Sequence, residues 1–406
     1  MPQLKGNLIV GQSGGPTAVS NSSLAGVIQA ALNSPAIQGI YGMVHGIEGV
    51  LKEDLIDLRA EKSETIEGLR RTPSAALGAC RTKLKAADYE RILKVLQAHQ
   101  VRYFIYNGGN DSADTCHHVA RLAHASGYEL RAIAVPKTVD NDLAFTDHCP
   151  GYGSVARFNA IATRDAGRDT EAIGVVDNVK LIETMGRNTG WITASTALAR
   201  EGPDDAPHLI YLPERPLNRE WFLQDVKATF DRLGYCVVAV CEGLKDEKGE
   251  TLVASARAVD TDSFGHKQLG GVADFLCDAI AANLGLKARF DKPGTVQRMS
   301  ALAASAVDEE EAYRVGEQAV MAAVEGMSGQ MITLVRESNS PYRVTTGLAP
   351  LEEVANAEKV VPREFINQRG NDVTAAFLDY ARPLIGGPLP PYVRLAGKRV
   401  VRRVEV

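Results

Sequence analysis

Short apolar runs recur along the chain, separated by glycine-bearing loops and amphipathic stretches. Residues 7–10, 103–106, 131–135, 179–183, 208–212 and 235–240 are such runs. Between them lie helical patterns. Residues 87–99 place Tyr89, Ile92, Leu93 and Leu96 on one helix face. Residues 21–32 predict a helix that Asn21 or Ser22 would cap, and a further helix is expected over residues 112–125, with Ser112 as its cap. Buried strands alternating with helices predict an α/β fold whose parallel sheets are covered on both faces. In such sheets ligands bind outside the carboxyl ends of the strands, and most of the polar clusters of this chain fall just there.

Length and charge narrow this picture. A chain of 406 residues exceeds one compact core, so two domains or more are expected. Hydrophobic residues make up 45% and charged residues 23%, which argues against disorder. A net charge of −5 offers no basic footprint for nucleic acid, so any phosphate-binding charge must be gathered locally. The six cysteines form no C-x-x-C pair and no cluster with spaced histidines, which speaks against zinc and against a disulfide framework. Met1 to Gly6 leads straight into a strand without a signal-peptide pattern. No apolar run approaches the roughly 18 residues of a membrane span. No membrane partner is expected, and the cytoplasm is the expected location. Residues 338–406 are richer in proline (Pro383, Pro388, Pro390, Pro391) and basic residues. They are expected to form a cap or a subunit contact.

Six clusters could carry chemistry. Gly11-Gln12-Ser13-Gly14-Gly15-Pro16 joins a strand to a helix, where glycines let backbone approach a phosphate; a tight packing turn is the equal alternative. Neither a P-loop nor, at this turn, a G-x-G-x-x-G pattern occurs. Asn107-Gly108-Gly109-Asn110-Asp111-Ser112 suits a phosphate or its magnesium ion better than a plain cap. Pro136-Lys137-Thr138-Val139-Asp140-Asn141-Asp142 sets a lysine and two carboxylates at a strand end. One carboxylate could take a hydroxyl proton and the other help hold magnesium, as phosphoryl transfer requires. Glu183-Thr184-Met185-Gly186-Arg187-Asn188, Cys241-Glu242-Gly243 and Gly294-Thr295-Val296-Gln297-Arg298 are weaker alone, since a surface salt bridge or a turn cap would explain each.

Taken in order, these clusters resemble the phosphofructokinase family over roughly the first 330 residues. The resemblance implies two Rossmann-like three-layer α/β/α domains with the active site between them, plus a C-terminal extension. Residues 1–150 with about 305–337 would bind the phosphoryl donor, residues 151–304 the sugar phosphate, and 338–406 would be the extension. It further implies that Gly14 and Gly15 lie beside the donor and that Arg81 bridges donor and acceptor phosphates. Thr138, Val139 and Asp140 match the acceptor loop, with Asp140 as the base. Asp142 matches the aspartate linked to Mg2+, and Asn110 stands where the family usually has a metal-linked aspartate. Met185, Gly186 and Arg187 match the sugar-phosphate loop, Glu242 a sugar-hydroxyl ligand, and Arg298 a ligand of the 6-phosphate. Arg289 matches an arginine that reaches that phosphate from a neighbouring subunit, so a homodimer or homotetramer with shared active sites is implied.

Asp111 and Lys137 stand where pyrophosphate-using members carry an aspartate and a lysine, and where ATP-using members usually have glycines. A carboxylate at Asp111 would repel the α-phosphate of ATP by about 4 kcal/mol at 4 Å and an effective dielectric near 20, of order a thousandfold. The implied reaction is reversible transfer from pyrophosphate to the 1-hydroxyl of fructose 6-phosphate. ATP as donor, or a non-catalytic subunit of the same fold, are the alternatives.

Overall fold

The computed structural model describes residues 4–253, 271–355, 357–397 and 400–403. Its strands are β1 (Gly6–Gln12), β2 (Ile37–Met43), β3 (Leu55–Asp57), β4 (Val101–Gly108), β5 (Arg131–Pro136), β6 (Val179–Thr184), β7 (Leu209–Tyr211), β8 (Cys236–Cys241), β9 (Ala288–Asp291), β10 (Gln330–Asn339) and β11 (Tyr342–Pro350). They form a larger sheet in the order β11-β10-β5-β4-β1-β2-β3 and a smaller one in the order β7-β8-β6-β9. The smaller sheet is parallel throughout. The larger one is parallel at its centre, with antiparallel pairs only at its two ends, β2–β3 and β10–β11.

Alternation along the strands explains why both faces are covered. In β1, Leu8 and Val10 enter one core while Ile9 enters the other; in β4, Tyr103 and Ile105 face one way and Phe104 and Tyr106 the opposite way. Helices Ser20–Asn33 and Ala306–Val324 cover the first of these faces, and Ala86–Ala98 with Asn110–Ala125 the second. The first two helices meet at glycines. A Cβ on Gly26 would lie 2.1 Å from the Tyr313 carbonyl oxygen, and one on Gly316 would lie 2.0 Å from that of Ser23. A side chain at either position would force the pair apart.

The parallel α/β sheets expected from the hydrophobic pattern are present, each strand within two residues of its expected ends. Two helix starts differ. Asn21 and Ser22 do not cap the first helix, which begins at Ser20 after Val19. Asn21 instead lies buried, accepting from the Ala76 N–H (2.7 Å) and donating to the Thr72 carbonyl (2.9 Å). Nor is Ser112 a cap. The helix begins at Asn110, so Asn110, Asp111 and Ser112 form its first turn. The division drawn at residue 338 falls inside β10, whose pairing with β11 runs on to Tyr342. Beyond the hairpin, the chain crosses to the smaller sheet's side, where Val361, Phe377, Leu384 and Ile385 join a core built on Tyr152, Trp191 and Ile192.

Buried charge also ties the segment after β5 to helix Ala306–Val324 and to the β10–β11 hairpin. His148, 1% exposed, lies between Asp147 (2.7 Å) and Glu311 (2.6 Å), and Arg336 and Tyr342 complete the group at 2.8 Å from Asp147 and 2.6 Å from Glu311. Burial works against the imidazolium, but the two carboxylates prevail and hold its pKa above the usual value. Such a histidine stabilises the fold fully below about pH 6.5, its unfolded value, and loses that contribution as pH rises through its folded value. His148→Gln is therefore expected to cost about 3 kcal/mol in denaturant unfolding at pH 6. The gap from the unsubstituted protein should narrow at pH 9; a gap that widens there would contradict the charged state.

Candidate active site

Five of the parallel strands, β1, β4, β5, β6 and β8, end at one cleft between the sheets. It has a volume of about 310 Å³. Gly14, Gly15, Arg81, Asn110, Asp111, Lys137, Thr138, Val139, Asp140, Asp142, Met185, Arg187, Glu242 and Arg298 all line it. The structure thus gathers expected site residues that are up to 284 positions apart in sequence, from Gly14 to Arg298.

On the side of the larger sheet, the glycine turn is a floor beneath which cations converge. A Cβ on Gly14, whose φ is +73°, would lie 3.3 Å from Lys137 Nζ. One on Gly15 would lie 2.6 Å from an Arg298 guanidinium nitrogen and 3.8 Å from one of Arg81. Glycine here leaves room for three positive groups. The Gly14 amide donates to the Cys80 carbonyl at 3.2 Å. Lys137 is 4% exposed and donates to the carbonyls of Ser13 (2.7 Å) and Gly15 (2.8 Å). Burial, followed by the charges of Arg298 and Arg81, pushes its pKa down to about 7. Burial and Arg81 likewise lower that of Arg298. The neighbouring carboxylates of Asp140 and Asp142 offset part of this repulsion at Lys137.

Opposite the cations lie carboxylates. The Thr138 hydroxyl accepts from the Asp140 N–H at 3.1 Å, and Val139 anchors the loop in the neighbouring core. Burial, then the charges of Asp142 and Glu242, push Asp140 up to about 7 against the pull of Arg187 and Arg298. Burial also raises Asp142 and Glu242. The Oδ1 atoms of Asp140, Asp142 and Asn110 are buried without a hydrogen-bond partner, which is costly unless a ligand satisfies them. Asn110 Nδ2 reaches Asp142 Oδ2 at 3.5 Å. No group of three or more His, Cys, Asp or Glu side chains suited to a metal occurs among the described residues. A few hard oxygen donors beside a group of cations nevertheless fit Mg2+, which keeps several waters and takes few protein ligands.

The wall from the smaller sheet is held by hydrogen bonds to backbone. Gln297, 1% exposed, accepts from the Met185 N–H at 3.3 Å, and Glu242 accepts from the Gly186 N–H at 3.3 Å. A Cβ on Gly243 would lie 1.9 Å from the Arg187 carbonyl oxygen, so the Glu-Gly pair packs directly on the Met-Gly-Arg loop. Arg289 is the one site candidate set apart. It lies on edge strand β9, more than half exposed, and pairs with Asp177 at 2.9 Å. The cleft also contains Ser13, Ser112, Asn188, Thr189 and Glu358, which were not among the site candidates. Ser13, Ser112 and Asn188 sit within the quoted clusters; nothing in the sequence around Glu358 marks it.

The fold and this cleft define a phosphoryl-transfer enzyme, and residues 7–323 match the family model described as Phosphofructokinase. The chain belongs to the phosphofructokinase family. A 44% identical relative, over 98% of both chains, is the pyrophosphate–fructose 6-phosphate 1-phosphotransferase of Xanthomonas campestris pv. campestris (strain B100). The Halomonas elongata protein of the same name is also 44% identical over 98% of both chains. Among solved structures, the pyrophosphate-dependent phosphofructokinase from Marinobacter aquaeolei superposes with a TM-score of 0.86 at 40% identity, covering 99% of this chain and 100% of the other.

Proposed function

We propose that this chain transfers a phosphoryl group reversibly from pyrophosphate to the 1-hydroxyl of fructose 6-phosphate, with Mg2+. The observation that carries this is the convergence of Lys137, Arg298 and Arg81 on Gly14 and Gly15, facing a carboxylate whose pKa is raised to neutrality. An anionic donor relieves the mutual repulsion of the cations, and Asp140 can accept a hydroxyl proton near pH 7. The names of the full-length relatives point to the same donor and acceptor.

In this mechanism Asp140 takes the proton from the sugar's 1-hydroxyl. Lys137, Arg298 and Arg81 stabilise charge on the transferring group and on the departing phosphate. Met185, Gly186, Arg187 and Glu242 hold the sugar phosphate. Asp142 and Asn110 would hold the metal, which supplies further neutralisation of phosphate charge when bound. The larger sheet then carries the donor side and the smaller sheet the sugar side. Arg289 lies away from its own cleft, beside exposed Phe290 on an edge strand, and pairs with Asp177, which follows exposed Val175 and Val176 in sequence. This favours a homo-oligomer in which Arg289 completes the site of a second copy. No described helix is long and apolar enough to cross a membrane, and action in the cytoplasm on small soluble substrates is proposed.

An aldolase-coupled assay tests the proposal. Fructose 1,6-bisphosphate should form from fructose 6-phosphate, Mg2+ and pyrophosphate, at least a hundredfold faster than with ATP. Faster turnover with ATP would overturn the donor assignment, and no turnover with either donor would overturn the reaction.

A further inference from the structure

The chain after the β10–β11 hairpin lies beyond the residues that the family model matches, yet it reaches the loop between the two carboxylates. Asn141 separates Asp140 from Asp142. It is completely buried and adopts φ of +55°, a left-handed conformation that asparagine tolerates better than most residues. This turn lets the side chains on both sides of it face the same cleft.

Nearly everything that holds Asn141 comes from outside its own loop. Its Oδ1 accepts from the Cys149 N–H (3.0 Å) and from Lys359 Nζ (3.3 Å), while its Nδ2 donates to the Tyr380 hydroxyl (2.9 Å). Tyr380 donates onward to the Asp147 carbonyl at 2.8 Å. The Lys359 ammonium also donates to the carbonyls of Thr146 (3.1 Å) and Asp147 (2.8 Å), which uses all three of its N–H groups. Its backbone N–H donates to the Asp142 carbonyl at 2.8 Å. Its own carbonyl accepts from Trp191 Nε1 at 3.0 Å, and its ammonium lies 5.3 Å from the centre of the Trp191 ring. The preceding residue, Glu358, bridges Leu143 and accepts from Asn188 at 2.9 Å on the opposite wall. The segment is thus threaded between the carboxylate loop and the sugar-side wall.

We propose that Lys359 and Tyr380 are positioning residues, which fix the directions of Asp140 and Asp142 by holding the side chain of Asn141. Their role in turnover rests on the proposed phosphoryl transfer; the geometric claim does not. A role in folding alone would lower thermal stability and leave turnover per folded site unchanged. A positioning role separates kcat from KM, because the carboxylates act on the reacting hydroxyl and metal, while the phosphates are held by arginines and Lys137.

The test is steady-state kinetics of Lys359→Met, Tyr380→Phe and the double variant, with a crystal structure of each single variant. Lys359→Met should lower kcat ten- to a hundredfold, and Tyr380→Phe three- to tenfold, with both KM values within threefold of the unsubstituted enzyme. The double variant should lose less than the product of the two, because both act through Asn141. The crystal structures should show displaced Asp140 and Asp142 carboxylates. Unchanged kcat in both folded variants overturns the proposal, even if their melting temperatures fall. If Lys359→Met does not fold, Tyr380→Phe, which removes a single oxygen, decides it. If the unsubstituted protein does not transfer phosphoryl from pyrophosphate to fructose 6-phosphate, the functional proposal falls. The carboxylate positions then decide the geometric claim, and carboxylates that have not moved overturn it.

Discussion

Asp140→Ser should lower kcat by three to four orders of magnitude and leave the affinity for fructose 6-phosphate within a few-fold of its original value. A positioned general base contributes about 10²–10⁴ to such a step. Serine removes the proton acceptor while keeping a small polar side chain. Sugar-phosphate affinity should survive, because Asp140 is repelled by Asp142 and Glu242 in the free enzyme and its removal relieves strain at the sugar side. The pH profile gives a second readout. The base works only when deprotonated, so kcat/KM should fall as pH drops below about 7, to which Asp140 is raised. Glu242 is one of the like charges that raise it. Neutralising that charge in Glu242→Gln should move the acid limb to lower pH, whatever it does to sugar affinity. Turnover of Asp140→Ser within tenfold of the parent enzyme, or an acid limb that moves upward in Glu242→Gln, would remove Asp140 from its role.

Much of this cleft was legible because parallel sheets put their loops at one edge. Once residues 103–106 and 131–135 are recognised as buried strands, the polar residues that follow them have little choice of location. The helix over residues 87–99 was equally plain, since Ile92 and Leu96 are buried beside Val95. What stayed hidden depends on contacts between distant segments. The first turn of the helix at Asn110 starts two residues before Ser112, because glycine at 109 serves as the N-terminal boundary without a side-chain cap. The engagement of the Gly14 amide by Cys80 could not be foreseen from a glycine pattern that suits phosphate and packing turns alike. The packing of the Arg298 guanidinium against Gly15, beside Arg81, likewise joins segments far apart in the chain. Glu358 and Lys359 carry no local signal at all; their place follows from a bridge to Leu143, more than two hundred residues earlier.

The second large effect concerns the donor, where the structure shifts weight from Asp111 to Lys137. Both positions suggest pyrophosphate, but their surroundings differ. Asp111 is exposed on the first turn of its helix, where solvent screens it. A charge pair at 4 Å is then worth nearer 1 kcal/mol than the 4 kcal/mol of a partly buried pair, about fivefold instead of a thousandfold. Lys137 is buried among backbone carbonyls beneath the glycine turn, and there the larger figure applies. Its pKa near 7 in the free protein rises when a polyanion binds, so it is charged in the complex. Lys137→Met should therefore lower kcat/KM for pyrophosphate by two to three orders of magnitude and leave KM for fructose 6-phosphate nearly unchanged. Asp111→Gly should alter the preference between pyrophosphate and ATP by no more than about tenfold. The methionine also leaves the Ser13 and Gly15 carbonyls without their donor, so unfolding curves must accompany the kinetics. A folded Lys137→Met enzyme that uses pyrophosphate as well as its parent would place the donor's charge recognition elsewhere, on Arg81 and Arg298. A thousandfold switch in Asp111→Gly would return it to the helix terminus.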